Sequence, residues 1–239
     1  MGELTIMAGG EVALSGPHRF DPVLSGTLGW HRYHLGVDLG QAQDPTALSV
    51  IEDKQLPLAE YDAGGQQLLG ERQFAVVHLE RIEGRDYPRI ARHLAAVVGR
   101  VPLLGRVSTV VDGTGVGRAF TDMIREAGVV FTPVTITGGG NQSRGENGYW
   151  NVSKMVLLSE LAAHLESGRL RIINTPMGQE LISELNSFEV DFTSAGNMRV
   201  DVRSKDHHGD LVIATALALW SAVGRPPGRI EVGRLENWS

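Results

Sequence analysis

Three aspartates, Asp38, Asp112 and Asp210, stand where a carboxylate needs a reason. In "YHLGVDLGQAQDPTALSVIED", Tyr33 to Asp53, Asp38 lies in an apolar, strand-like run with a glycine two residues to either side. Burying a carboxylate is costly unless something pairs with it. The period of two sets Leu35, Val37 and Leu39 on one face and His34, Gly36 and Asp38 on the other, with the glycine leaving room beside the carboxylate. Asp112 ends the β-branched run "RVSTVVD" and is followed by "GTGVG". If these two strands are parallel neighbours, both carboxylates sit at carboxyl ends, where open α/β sheets place their sites. Asp210 opens the last apolar helix. Ala214 and Ala218, four and eight residues on, would let that helix press on the sheet and bring Asp210 to the other two.

Converging carboxylates repel, so some must be protonated or a cation must lie between them. Oxygen donors without a His/Cys set suit Mg²⁺ or Mn²⁺. Two such ions about 3.5–4 Å apart activate water and stabilise a leaving oxygen in phosphodiester cleavage, with Asp38 bridging both. Taken singly, each aspartate has a structural reading: a strand-end turn former, the start of a tight βα turn, a helix N-terminal charge. Their combination is what points to a metal centre.

The elements that must position them alternate along the chain. Tyr33–Leu39, Thr46–Ile51 and Glu71–Leu79 read as strands joined in a meander. "DYPRIARHLAAVVGR" reads as a helix, followed by the strand ending at Asp112, a helix stopped by Gly128, and the strand "VVFTPVTI". A glycine-rich loop spans Thr137–Trp150. Asn151 caps a helix with a stripe of Met155, Leu158, Leu161 or Ala162, and Leu165. "RLRII" is a short strand, and Thr175 and Pro176 open another helix. "EVDFTSAGNMRVDV" is a hairpin turning at Ala195–Asn197. The final helix is apolar nearly all round and should be buried. The order predicts an α/β fold: a mixed β-sheet flanked by helices on both faces. Residues 1–32 are expected as a partly disordered lead-in or edge hairpin, 33–224 as the folded domain and 225–239 as a tail.

Composition narrows the classes. The 239 residues include no cysteine, which excludes disulfides, zinc–thiolate sites and a thiol nucleophile. Net charge is −6, unlike a protein that coats nucleic acid through bulk positive charge. No apolar run approaches the roughly 18 residues of a membrane span, and no secretion signal is expected.

"GVDLGQAQDPTALSVIE", "VVDGTGVG", "NVSKMVLLSELAAHLESGRLRI", "ELISELNSF" and "HHGDLVIATALALW" occur in the order seen in phage terminase large subunits. From about Tyr33 to Val223 the chain resembles the ribonuclease-H-like nuclease domain of those packaging motors. The resemblance implies that Asp38, Asp112 and Asp210 are the catalytic, metal-binding positions. It implies Mg²⁺- or Mn²⁺-dependent endonucleolytic cleavage of concatemeric double-stranded DNA, in the cytoplasm of a bacterial host. It also implies an ATPase motor domain or subunit, a small terminase subunit and a portal protein as partners. Lys154 matches a lysine the family often carries, suited to a phosphate contact or to covering the apolar stripe. His208, Lys205 and Arg144 are further candidates for phosphate contact or support of the site. Glu184 and Phe188 read as a salt-bridge partner and a core residue.

Two departures stand out. The family's last motif commonly reads His-Asp-Asp-Leu, whereas here it is His208-Gly209-Asp210-Leu211, which removes a fourth carboxylate. No G-x-x-x-x-G-K-[ST] loop occurs, so the sequence reads as a nuclease domain alone or a product split from its ATPase. Three alternatives remain open at this point: a junction-resolvase- or transposase-like nuclease of the same fold, an actin-like nucleotide-binding domain suggested by "GVDLG" and "DGTGVG", and a non-catalytic virion assembly module.

Overall fold

The structure, a computed structural model, describes residues 3–6, 11–15, 29–40, 44–84, 86–114, 118–139, 142–145, 148–192, 198–202 and 209–223. In chain order the strands are β1 (Glu3–Ile6), β2 (Glu11–Ser15), β3 (Gly29–Asp38), β4 (Thr46–Gln55), β5 (Pro57–Tyr61), β6 (Gln67–Leu69) and β7 (Gln73–Ile82). Helix α1 (Tyr87–Val98), β8 (Val107–Asp112), α2 (Arg118–Glu126), β9 (Phe131–Thr137), β10 (Ser143–Arg144) and β11 (Trp150–Ser153) follow. The remainder is α3 (Lys154–Glu166), β12 (Leu170–Ile172), α4 (Pro176–Ser187), β13 (Phe188–Phe192), β14 (Met198–Val202) and α5 (Asp210–Val223).

The main sheet runs β10-β11-β9-β8-β3-β4-β7-β12, with the β1–β2 hairpin attached to the start of β3. The expected meander is present: β3 pairs antiparallel with β4, and β4 with β7. Strands β8, β9 and β11 run parallel to β3, and β12 runs parallel to β7. The fold is a mixed β-sheet flanked by helices on both faces, as expected. The first strand begins earlier than expected, at Gly29, because residues 29 and 30 pair with β2 and β3 stays in register with β4 from Trp30 onward.

The alternation in β3 divides the core. Tyr33, Leu35, Val37 and Leu39 pack with Leu48, Val50 and Val111 beneath α1 and α2. The opposite face carries Val110, Val134 and Val152 under α3, α4 and α5. Helix α5 packs on β3, β4 and β8 with α3 and α4 alongside it. Being enclosed on all sides, it has to be apolar all round: Leu211, Val212, Leu217, Leu219 and Trp220 are each almost fully buried, worth about 1.5–3 kcal/mol apiece relative to exposure.

Two local assignments change. Trp150–Ser153 continues the sheet beside β9, so the helix begins later and Ser153, not Asn151, caps it, its Oγ accepting the Met155 N–H (3.2 Å). The buried residues of α3 are Leu157 and Leu161, with Leu158 and Leu165 partly buried and Met155 outside that core, because the helix packs between the sheet and α5. Thr175 does cap α4, accepting the Gly178 N–H (3.1 Å). The hairpin β13–β14 forms as expected, its turn lying outside the described residues.

Candidate metal centre

The β3–β8 ladder runs in parallel register from Tyr33–Val107 to Val37–Val111. The next residue on each strand is an aspartate. Asp38 and Asp112 therefore end neighbouring strands, which lie about 4.8 Å apart, and share the face of Gly36 and Val110. Helix α5 covers that face. A Cβ built on Gly36 would meet the Ala214 carbonyl oxygen at 1.9 Å and the Ala218 nitrogen at 2.6 Å. The glycine thus admits the helix backbone itself, rather than clearing space for the carboxylate. With α5 seated there, Asp210 at its first turn comes within electrostatic reach of Asp38.

The surroundings of the three carboxylates differ. Asp112 is buried and its Oδ1 accepts two bonds from Thr114, from the backbone N–H (2.8 Å) and the hydroxyl (2.5 Å). Thr114 Oγ1 in turn accepts the Ile136 N–H (2.8 Å), which ties Asp112 to β9. Burial raises the Asp112 pKa, with the Thr114 bonds pulling it back. Asp38 is raised well above the usual carboxylate range, first by desolvation and then by Asp112, Asp210 and Glu184, while Lys154 lowers it. Lys154, at the start of α3, is thereby placed within reach of the cluster.

Glu184 of α4 is the member that sequence reasoning undervalued. It is 1% exposed, and burial raises its pKa against the lowering effect of Arg81. The expected salt bridge exists, to Arg81 of β7, and the same carboxylate is also electrostatically coupled to Asp38 and Asp210. Its spacing three residues after the buried Leu181 was the available signal, since that places it on the inward face of α4. Glu184 thus adds a further carboxylate within electrostatic reach of Asp38, from a different helix than Asp210.

Other candidates lie elsewhere. Arg144 sits exposed on β10, four strands from β3, or about 19 Å along the sheet. Trp150 anchors the glycine-rich segment: its ring meets Trp220 edge to face at 5.8 Å, and Trp220 Nε1–H donates to Gln142 (2.9 Å). Lys205 and His208 lie outside the described residues, and Phe188 opens β13. His34 shares the face of Asp38 but serves the other end of the sheet. Its Nδ1 is 2.9 Å from Ser221 Oγ and its Nε2 is 3.4 Å from Asp53, which also binds Arg32 and Arg72. Although this is a serine, a histidine and an aspartate in line, all three are buried, and the set braces β3 and β4 against α5.

Among the described residues, no three acidic or imidazole side chains already form a cage round one point. The donor chemistry nevertheless fits a hard divalent cation. All the groups are carboxylates, burial and then their mutual repulsion raise Asp38, and a cation would relieve the repulsion.

No protein-family model matches the chain. A terminase large subunit of Thermus virus P23-45 is 25% identical over 202 residues, which cover 84% of this chain and 34% of that protein. The crystal structure of the large terminase nuclease from thermophilic phage G20c superposes with a TM-score of 0.55 at 25% identity, over 80% of this chain and 82% of that one. This chain resembles the nuclease domain of phage terminase large subunits. The same G20c nuclease with bound magnesium gives a TM-score of 0.54 at 25% identity, over 79% of this chain and 80% of that one. The chain spans about a third of the length of the terminase large subunits it matches. Among the described residues no helix is long and apolar enough to cross a membrane.

Proposed function

We propose that the chain is a metal-dependent endodeoxyribonuclease of the terminase type, which cuts concatemeric double-stranded phage DNA during genome packaging. The observation that carries this is the parallel register of β3 and β8, which sets Asp38 beside Asp112 under the N-terminus of α5. Similarity to large-terminase nucleases supports it. Asp38, Asp112 and Asp210 would hold Mg²⁺ or Mn²⁺, two ions on this reading. The chemistry supplied on binding is activation of water and charge relief on the scissile phosphate. Within the chain, Thr114 fixes the direction of Asp112, α5 delivers Asp210, and Lys154 offers a cation to a phosphate oxygen. The packaging ATPase, the small terminase subunit and the portal are the partners this reading brings with it.

The test is plasmid cleavage by the chain in Mg²⁺ and Mn²⁺, with chelator and Ca²⁺ as controls, beside Mn²⁺ titration by calorimetry. The parent should nick or cut with either ion and little sequence preference, and Ca²⁺ should bind without comparable turnover. Asp38→Asn should abolish cleavage. Equal cutting in chelator, or an Asp38→Asn variant near the parent rate, rejects the reading.

A further inference from the structure

Gly209 opens α5 at φ +72°, and its carbonyl accepts the first intrahelical bond, from the Ile213 N–H (3.0 Å). A helix N-terminus leaves its first amides without intrahelical partners, and a capping side chain ordinarily accepts one of them. Glycine has no such side chain. Here another helix provides it. Glu184 Oε2 accepts the Val212 N–H (3.1 Å), and the neighbouring Leu211 amide favours the charged form of the same carboxylate. Oε1 is held by the Arg81 guanidinium, which also reaches Glu180 (2.5 Å). One buried carboxylate thus joins β7, α4 and the first turn of α5, at the end of the helix where negative charge is favoured.

Asp210 is the first residue of that turn. We propose that Glu184 is a positioning residue, a borrowed N-terminal cap that fixes the direction in which Asp210 presents its carboxylate to Asp38 and Asp112. The inference rests on the metal-centre reading above. Both Glu184 oxygens are already engaged, by Arg81 and by the α5 amides, so its role is to aim a ligand rather than to be one.

The experiment is a double-mutant cycle on Mn²⁺ binding, read by electron paramagnetic resonance, which reaches weak affinities. It uses the parent, Glu184→Gln, Glu184→Ala, Asp210→Asn and the Glu184→Gln/Asp210→Asn pair, each held well below its own melting temperature. Glu184→Ala should weaken Mn²⁺ by about tenfold or more, the usual scale for losing a group that orients a ligand. Glu184→Gln keeps an acceptor for the amides and loses the charge that Arg81 needs, so its loss should be smaller. In the Asp210→Asn background the glutamine should cost nothing further. Parent-like binding by both Glu184 variants, or a Glu184→Gln loss that adds fully to that of Asp210→Asn, overturns the proposal while leaving the metal centre intact. Failure of the parent to bind Mn²⁺, or parent-like binding by Asp38→Asn, overturns the metal-centre reading and this inference with it.

Discussion

Asp38 is half-buried as a residue, yet its carboxyl is desolvated and feels the charge of three others, Asp112, Asp210 and Glu184. Its pKa in the fold lies well above that in the unfolded chain, so the folded state holds the proton more tightly. Stability from this group is complete below the ordinary aspartate value of about 4 and is lost as pH rises through the raised value. Asp112 and Glu184 are raised too and act in the same direction. His34 acts oppositely: burial lowers its pKa, so its penalty falls as pH rises toward the ordinary histidine range. Comparing Asp38→Asn with the parent cancels these common contributions to first order. Without metal, the variant should match the parent near pH 4 and melt higher at neutral pH, by thermal unfolding across that range. Saturating Mg²⁺ should shrink the gap by stabilising the parent. Lys154→Ala should keep Mn²⁺ affinity within about threefold and slow cleavage by about 10–100-fold, because one phosphate contact is one electrostatic contribution among several. Full loss of Mn²⁺ binding in that variant would show that Lys154 holds the site together instead.

At the scale of elements, Gly36 sets how closely α5 approaches the sheet. Gly36→Ala forces backbone against backbone, so the helix must lift or tilt. It should cost about 3 kcal/mol or more by denaturant unfolding, and it should weaken Mn²⁺ binding because Asp210 moves with α5. Thr114→Val keeps the shape and removes the hydroxyl shared by Asp112 and Ile136. A stability loss of about 1–2 kcal/mol is expected, with a larger proportional fall in cleavage than in DNA affinity. Much of this was legible in the sequence. The alternation around Asp38, the β-branched run ending at Asp112 and the Asp210/Ala214/Ala218 spacing all point to the observed sheet and helix. Three pieces were not. The β5–β6 hairpin turns almost nothing toward the core, Pro57 and Gln67 excepted, so it carries no apolar alternation to read. Strand β11 exists through non-local pairing with β9 inside a glycine-rich stretch that reads locally as loop. Glu184 reads as an inward salt-bridge partner, and its second task shows only when the start of α5 is seen to need an acceptor.

For the whole molecule, 28 acidic side chains stand against 22 basic ones. The chain alone should bind duplex weakly, with affinity falling steeply as salt rises, measured by fluorescence anisotropy across an ionic-strength series. Tight binding that ignores salt would contradict this. The order of the strands carries a consequence in time. Asp38 and Asp112 lie on adjacent central strands, whereas the helix that closes the same face comes about a hundred residues later in the chain. As the polypeptide leaves the ribosome, the sheet can pair early, but the trough under α5 stays empty until the end of the domain emerges. A nascent or truncated product would thus display a greasy furrow lined by Val110 and Val134, an invitation to chaperones. It would also lack Asp210. On the proposed function, DNA in the same cell would be spared a half-made cutter, because the stretch of chain that completes the hydrophobic interior would also be the one that arms it.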